Sequence, residues 1–322
     1  MIVCDAAATA ARLPYAALVE AVADVLRAKV AGTARAPERL VVRLRPQDPQ
    51  GGSLLCMPAA DADVAVTKLI TVHAGNRRHG LPVIQGEMTV MRADTGDRLL
   101  LLDGATVTAR RTAAASVLAM RTLRPPEGLS PAGRPYGPVL VMGAGVQAAA
   151  HVAACREVLG VEQIVLYARS PASPASGAGL VQDARAQGLA VDVISHPEAL
   201  PAALARCPVI ITATTSPVPV LPDAPELVRD DACIVAVGSF HADQAEIPAS
   251  IMRRARVVVD SLEAARHEAG DILLAGLDWA DIPALEHLLE APPAYAPGPV
   301  VYKSVGCAYF DLAAGRVAAG MA

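Results

Sequence analysis

The stretch Val139–His151, VLVMGAGVQAAAH, decides the fold. Four apolar residues run into Gly143-Ala144-Gly145, and an apolar, alanine-rich segment with helical propensity follows. That order is strand, tight turn, helix. In such a unit Gly143 makes the sharp turn, Gly145 lets backbone approach a pyrophosphate, and Ala148 is small enough for close helix packing. The amides at the helix start, those of Val146 and Gln147, then face the anion. Gly-Ala-Gly also occurs in ordinary strand-to-helix turns, so the surrounding chain has to carry the assignment.

It does so after Arg134, where apolar runs alternate with helical stretches as a parallel sheet with crossover helices requires. The runs predict strands at Val139–Met142, Gln163–Tyr167, Val191–Ile194, Val209–Ala213, Ile234–Val237 and Val257–Val259. They show little alternation, the pattern of strands covered on both faces. Six strands in this order suit a doubly wound, Rossmann-type sheet. Thr214-Thr215-Ser216-Pro217 and Gly238-Ser239 then fall after the fourth and fifth strands, where such sheets form their ligand crevice.

The first 120 residues differ. Apolar positions at helical spacing run from Pro14 to Val30, and Leu40–Leu44, Val64–Thr71, Glu87–Arg92 and Leu99–Asp103 read as strands. Thr106 to Leu123 is helical again, and the Pro- and Gly-rich stretch Arg124–Pro138 is the expected linker. A last helix is expected from Ala308 to Ala319, and SPASPASGAG, from Ser170, reads as a surface loop.

With 322 residues, 53% of them hydrophobic, the chain can bury a large core and divide into two domains. A formal net charge of -4 without basic or acidic blocks suggests neither a nucleic-acid nor a membrane-surface partner. The start, Met1 to Asp5, lacks a basic region followed by an apolar core, and no span reads as a transmembrane helix, so a cytoplasmic protein is expected. Cys4, Cys56, Cys155, Cys207, Cys233 and Cys307 are scattered in apolar surroundings without a Cys-x-x-Cys pair. Free thiols are expected, and no structural metal.

The end of the second crevice strand bears on the cofactor. An NAD site usually has Asp or Glu there for the ribose 2'-hydroxyl. This strand ends Leu166-Tyr167-Ala168-Arg169-Ser170, and Glu162 precedes it, at the end of the sheet away from the crevice. Arg169 and Ser170 suit a 2'-phosphate, which favours NADP(H) over NAD(H).

Three segments carry a family resemblance: TKLITVHAGNRRHGLPVIQGEMTVMRADTGDRLLLLDGATVTARRTAAASVLAMRTL, VMGAGVQAAAH and YKSVGCAYFDLAA. Together they resemble the ornithine cyclodeaminase/mu-crystallin family, most of all its pyrroline- and piperideine-2-carboxylate reductase branch. The resemblance implies an α/β architecture: an NADP(H)-binding Rossmann domain over 124–300, and an α+β substrate-binding and dimerisation domain from 1–123 with 301–322. It implies a homodimer. It also implies that Lys68 and Arg111 bind a substrate carboxylate with a third arginine, for which Arg39 is chosen over Arg43 and Arg45. By the same resemblance Ser304, Val305 and Gly306 approach the nicotinamide. A planar Arg fork beside a Lys point charge is a sound clamp for a small imino acid carboxylate.

The departures from the family matter as much. Ornithine cyclodeaminases carry a Glu two residues before a Met-Pro pair and an Asp after the fifth strand. Aligned on Met57-Pro58 and on Glu246, those positions hold Leu55 and Phe240. A deaminating cyclase needs such groups near two amines, whereas reduction of a preformed cyclic imine needs a carboxylate clamp, hydride geometry and a proton. The expected activity is therefore NADPH-dependent reduction of a five- or six-membered cyclic ketimine carboxylate to L-proline or L-pipecolate. The proton source stays open among Lys68, water, His73 and Glu87. The alternatives are a cyclodeaminase using other acids, an alanine-dehydrogenase-like or opine-type imine reductase, and a non-catalytic NADPH-dependent binder.

Overall fold

The computed structural model describes residues 1–48, 51–124, 136–168, 177–291 and 297–322. They form two compact units, Met1–Ala115 with Cys307–Ala322, and Ser116–Gly306.

The first unit is built on a six-stranded sheet. Its strands are β1 (Ile2–Val3), β2 (Leu40–Arg43), β3 (Ser53–Ala60), β4 (Val64–Val72), β5 (Ile84–Arg92) and β6 (Arg98–Asp103), in the order β1-β6-β5-β4-β3-β2. All neighbours are antiparallel except β1 and β6. Helices α1 (Ala6–Ala11) and α2 (Tyr15–Val30) lie between β1 and β2 in the chain, and α3 (Gly104–Leu123) follows β6. Asp5 caps α1 by accepting from the Ala8 amide at 2.8 Å. α2 buries Leu18, Val19, Val22 and Leu26, spaced as one apolar stripe.

The second unit holds a parallel sheet: β7 (Val139–Met142), β8 (Gln163–Tyr167), β9 (Ala190–Ile194), β10 (Val209–Thr212), β11 (Cys233–Ala236), β12 (Arg256–Val259) and β13 (Val300–Lys303). The order is β12-β13-β11-β10-β7-β8-β9. Every residue of β7, β10 and β11 is buried, which explains their unbroken apolar runs. Leu140, Ile210, Ile234 and Val301 join one core with Ile251, Val257 and Ile272. The helices of this unit are α4 (Val146–Leu159), α5 (Gly177–Ala186), α6 (Leu200–Arg206), α7 (Ala249–Arg254), α8 (Leu262–Glu268) and α9 (Gly270–Ala275). The final helix, α10 (Ala308–Ala319), belongs to the first unit and packs on α2, β3 and β4.

The fold class is the expected one, with corrections. The parallel sheet has seven strands among the described residues, not six, because β13 lies between β11 and β12. Val301 to Gly306 therefore belong to the second unit and not, as expected, to the first. The first division falls inside α3, after Ala115, rather than at residue 123. β3, not expected as a strand, pairs with both β2 and β4. Residues 125–135 of the expected linker and 170–176 of the expected surface loop lie outside the described residues, and Gly177 already opens α5.

Among the described residues no helix is long and apolar enough to cross a membrane. The six cysteines are free thiols, and burial pushes Cys155 and Cys233 up to about 12.

Candidate functional site

Strand order in the second unit reverses between β7 and β10, the switch point at which such sheets bind ligands beyond their carboxyl ends. Gly143 leaves β7 there with φ +104°, and its amide donates to the Tyr167 carbonyl at 3.0 Å. A Cβ on Gly143 would stand 2.5 Å from the Ala213 carbonyl oxygen, so this turn admits no larger residue. Gly145 is the N-cap of α4 and supplies no capping side chain. The amides of the first turn, including those of Val146 and Gln147, are thus left for an anion. Val146 is exposed, Ala148 is fully buried, and the Gln147 side-chain oxygen is buried without a hydrogen-bond partner. Gly143, Ala144, Gly145, Val146 and Gln147 together form a cradle that fits a dinucleotide pyrophosphate. His151, one turn on, is structural: its Nδ1 lies 2.8 Å from the Gln147 carbonyl and its Nε2 2.9 Å from Ser116 Oγ, and burial pushes it down to about 4.

Thr214 and Ser304 lie at the carboxyl ends of β10 and β13, but their hydroxyls are committed within the protein. Thr214 donates both its amide and its Oγ1 to Glu246 Oε1 at 2.8 Å, and Ser304 Oγ donates to Asp260 Oδ2 at 2.7 Å. They shape the crevice rather than present hydroxyl donors to it. Sequence reasoning did not single out the carboxylates that hold them. Glu246 Oε2 also accepts from Thr212 Oγ1 and the Gly238 amide, and Asp260 accepts from the amides of Val305 and Gly306. Asp271 accepts from the amides of Glu246 and Ile247 and pairs with Lys303 at 2.6 Å, both fully buried. Lys303 in turn donates to the Ser239 carbonyl at 2.7 Å. Three buried carboxylates and one lysine thereby fix the loops after β10, β11 and β13. Buried, with each carboxylate accepting from backbone amides, such a network is stiff. Arg169 and Ser170 lie outside the described residues; Glu162 directly precedes β8, at its amino end.

The first unit brings the other candidates together. β4 alternates buried and less buried positions, and Lys68 stands in the buried series with Val64, Val66 and Ile70. Its ammonium donates to Asp311 Oδ1 on α10 at 2.8 Å, and Arg111 Nε on α3 lies 3.3 Å from the same oxygen. Lys68 and Asp311 are fully buried and the Arg111 side chain is 6% exposed. Gly315, one turn after Asp311, is what lets α10 sit this close: a methyl there would run into Val66. Burial, with the charges of Arg111 and Arg39 and against that of Asp311, pulls Lys68 down to about 8. Arg39 is half-buried and its charge is felt at Lys68, whereas Arg43 and Arg45 are exposed. Asp311 was not among the expected residues. Its signal is a carboxylate inside the otherwise apolar run Ala308–Ala314, most of which is buried.

The other proton-donor candidates separate from this cluster. Glu87 is exposed and pairs across the sheet with Leu69, so the pleat sends it to the face opposite Lys68, whose partner is Met88. His73 follows β4, and its ring fills the space beside Gly52. Leu55 is buried, and Phe240 is packed against the core of the second unit.

The sequence profile of the ornithine cyclodeaminase/mu-crystallin family matches residues 2–318. The chain is 39% identical over 314 residues to Delta(1)-pyrroline-2-carboxylate reductase 1 of Burkholderia multivorans, covering 98% of this chain and 94% of that one. It is 40% identical, with the same coverage, to a Delta(1)-pyrroline-2-carboxylate/Delta(1)-piperideine-2-carboxylate reductase of Azospirillum brasilense. Among solved structures it is similar to the Thermococcus litoralis Delta(1)-pyrroline-2-carboxylate reductase in complex with NADH and L-proline. That likeness has a TM-score of 0.86 over 100% of this chain and 97% of the other, at 23% identity, and it concerns the fold.

Proposed function

The chain belongs to the ornithine cyclodeaminase/mu-crystallin family, and from that premise we propose that it reduces a cyclic imine carboxylate, pyrroline-2-carboxylate or piperideine-2-carboxylate, to L-proline or L-pipecolate. The observation that carries this is the buried group of Lys68, Arg111 and Asp311, which has a net charge of one positive in a water-poor setting and so calls for one anion. The guanidinium of Arg111 would fork the substrate carboxylate, with Arg39 adding its charge. Lys68, held near 8, is a suitable acid at neutral pH. It would give its proton to the ring nitrogen while the C=N electron pair withdraws onto that atom, and solvent would then restore the lysine. When bound, the nicotinamide supplies the hydride for C2. The protein's share is positioning and electrostatics. Following NADPH oxidation with cyclic imines, with open 2-oxo acids plus ammonia or methylamine, and with buffer alone tests the assignment. Oxidation confined to the open-chain mixtures would replace it with an open-chain imine reductase. No oxidation in any arm would replace it with a binder.

The cofactor we assign is NADP(H), because β8 is followed by Arg169-Ser170 and no acid stands at its carboxyl end. NADPH is expected to support turnover better than NADH, and Arg169→Ala to narrow the gap mainly through the NADPH Michaelis constant. Equal use of both cofactors by the wild type would refute this. The exposed apolar side chains of β2, Leu40, Val41 and Val42, are assigned to a homodimer contact.

Ornithine with NAD or NADP is expected to give neither ammonia nor proline. Leu55 and Phe240 cannot move a proton, and Lys68 is already paired with Asp311. Ammonia release at a rate comparable with imine reduction would show that other groups do the work of the missing carboxylates.

A further inference from the structure

We propose that Asp311 is the positioning residue of this site: from α10 it holds the Lys68 ammonium in place and in its charged form, and so sets the alkaline limit of the reaction. The inference rests on the reductase reading and adds a role that the clamp alone does not require.

The groups that face Lys68 explain why. From α10 comes Asp311, from α3 Arg111, and from the segment before β2 Arg39; its cross-strand neighbours on β3 and β5 are Met57 and Met88, both apolar and buried. Burial and the two arginines all push the lysine toward its neutral form. Asp311 pushes the other way, by its charge and by its 2.8 Å hydrogen bond. Without the carboxylate, a fully buried ammonium would stand in an apolar setting under the charges of Arg111 and Arg39. It would lose its proton well before pH 8.

The arrangement has a second consequence. In Asp311→Asn, above its lowered alkaline limb, the lysine is neutral and the carboxylate is gone, so the net charge offered to the substrate there stays at one positive. Attraction for the substrate carboxylate is retained while the acid is lost. A residue that only held the fold together would damage both and at every pH.

The test measures kcat and KM for pyrroline-2-carboxylate from pH 6 to pH 9 in the wild type, Asp311→Asn and Asp311→Glu. The wild type is expected to lose kcat/KM as pH rises through about 8, the value to which Lys68 is shifted without substrate, and to lose kcat at a higher pH, because the bound carboxylate favours the ammonium. In Asp311→Asn the alkaline limb should move down by at least about one pH unit, which is a fall of about tenfold in kcat/KM at pH 9. At pH 6 its kcat should return to within about threefold of wild type, and above its own limb KM should differ from wild type by less than about threefold. Asp311→Glu should keep the limb near its wild-type position. An unmoved limb in Asp311→Asn, or an equal loss at every pH, would overturn the proposal. If Asp311→Asn does not fold, Arg111→Gln gives the opposite sign. Removing that cation should raise the limb, and a limb that stays or falls would overturn the proposal. Should the wild type reduce no cyclic imine at any pH, the reductase reading fails first, and the wild-type arm alone shows it.

Discussion

Lys68→Met is expected to lower kcat/KM for pyrroline-2-carboxylate at pH 7 by about three powers of ten or more. Two contributions vanish together. General acid catalysis by a placed group contributes about 10²- to 10⁴-fold, and a charge-assisted contact to a desolvated carboxylate about 1.5–3 kcal/mol. NADPH binding, followed by its fluorescence, should be unchanged, because the cradle at Gly143–Gln147 lies in the other unit. The substitution also has a signature in stability. Lys68 is shifted from 10.5 to about 8, so the folded state disfavours its charged form. Between those values the unfolded chain binds more protons than the native one, and stability from this group rises with pH across that window. Below about pH 8 the penalty is present in full. The melting temperature of the wild type should therefore gain on that of Lys68→Met between pH 8 and 10.5. A variant with near-normal kcat/KM, its fold confirmed by circular dichroism, would remove Lys68 from the chemistry.

Where the sequence was legible, the physics was local. The turn at Gly143 and the unbroken apolar runs of β7, β10 and β11 follow from backbone sterics and two-sided burial, and both can be read within a few residues. β13 could not be read in that way. Its residues are buried like the others, Val300, Val301 and Tyr302 followed by the ion-paired Lys303, but its place between β11 and β12 depends on partners more than 40 residues away. β3 was hidden by Pro58, which argues against a central strand. The structure tolerates it because Pro58 lies beyond the stretch of β3 that pairs with β2. The candidate site divides in the same manner. Lys68 stands out as a charge in the inward series of an alternating strand. Asp311, 243 positions later, stands out only as a carboxylate in an apolar helix, and its meaning appears when α10 is seated on β4. Glu246, Asp260 and Asp271 were missed because each binds backbone amides of loops remote in sequence, which leaves no local pattern.

Arg111→Lys separates geometry from charge at the same site, with an expected fall in kcat/KM of about one to two powers of ten. The lysine keeps the positive charge and can still pair with Asp311, whose Oδ1 lies 3.3 Å from the arginine Nε. It loses the planar fork that grips both oxygens of a carboxylate. Loss of one charge-assisted hydrogen bond in a desolvated site amounts to about 1.5–3 kcal/mol, which sets the range given. The loss should be visible in binding of L-proline as well as in turnover, because the carboxylate is common to product and substrate. Two neighbours on α3 serve as controls. Arg121 is exposed, and Arg121→Ala should be nearly silent in both activity and melting temperature. Arg110 donates to the Leu13 carbonyl at 2.7 Å and lies 3.8 Å over the Tyr15 ring, so Arg110→Ala should lower the melting temperature and leave kcat/KM of the folded enzyme near its starting value. If Arg111→Lys behaved like Arg110→Ala, less stable but equally active, Arg111 would be a packing residue, and the carboxylate clamp would have to be sought elsewhere than on α3.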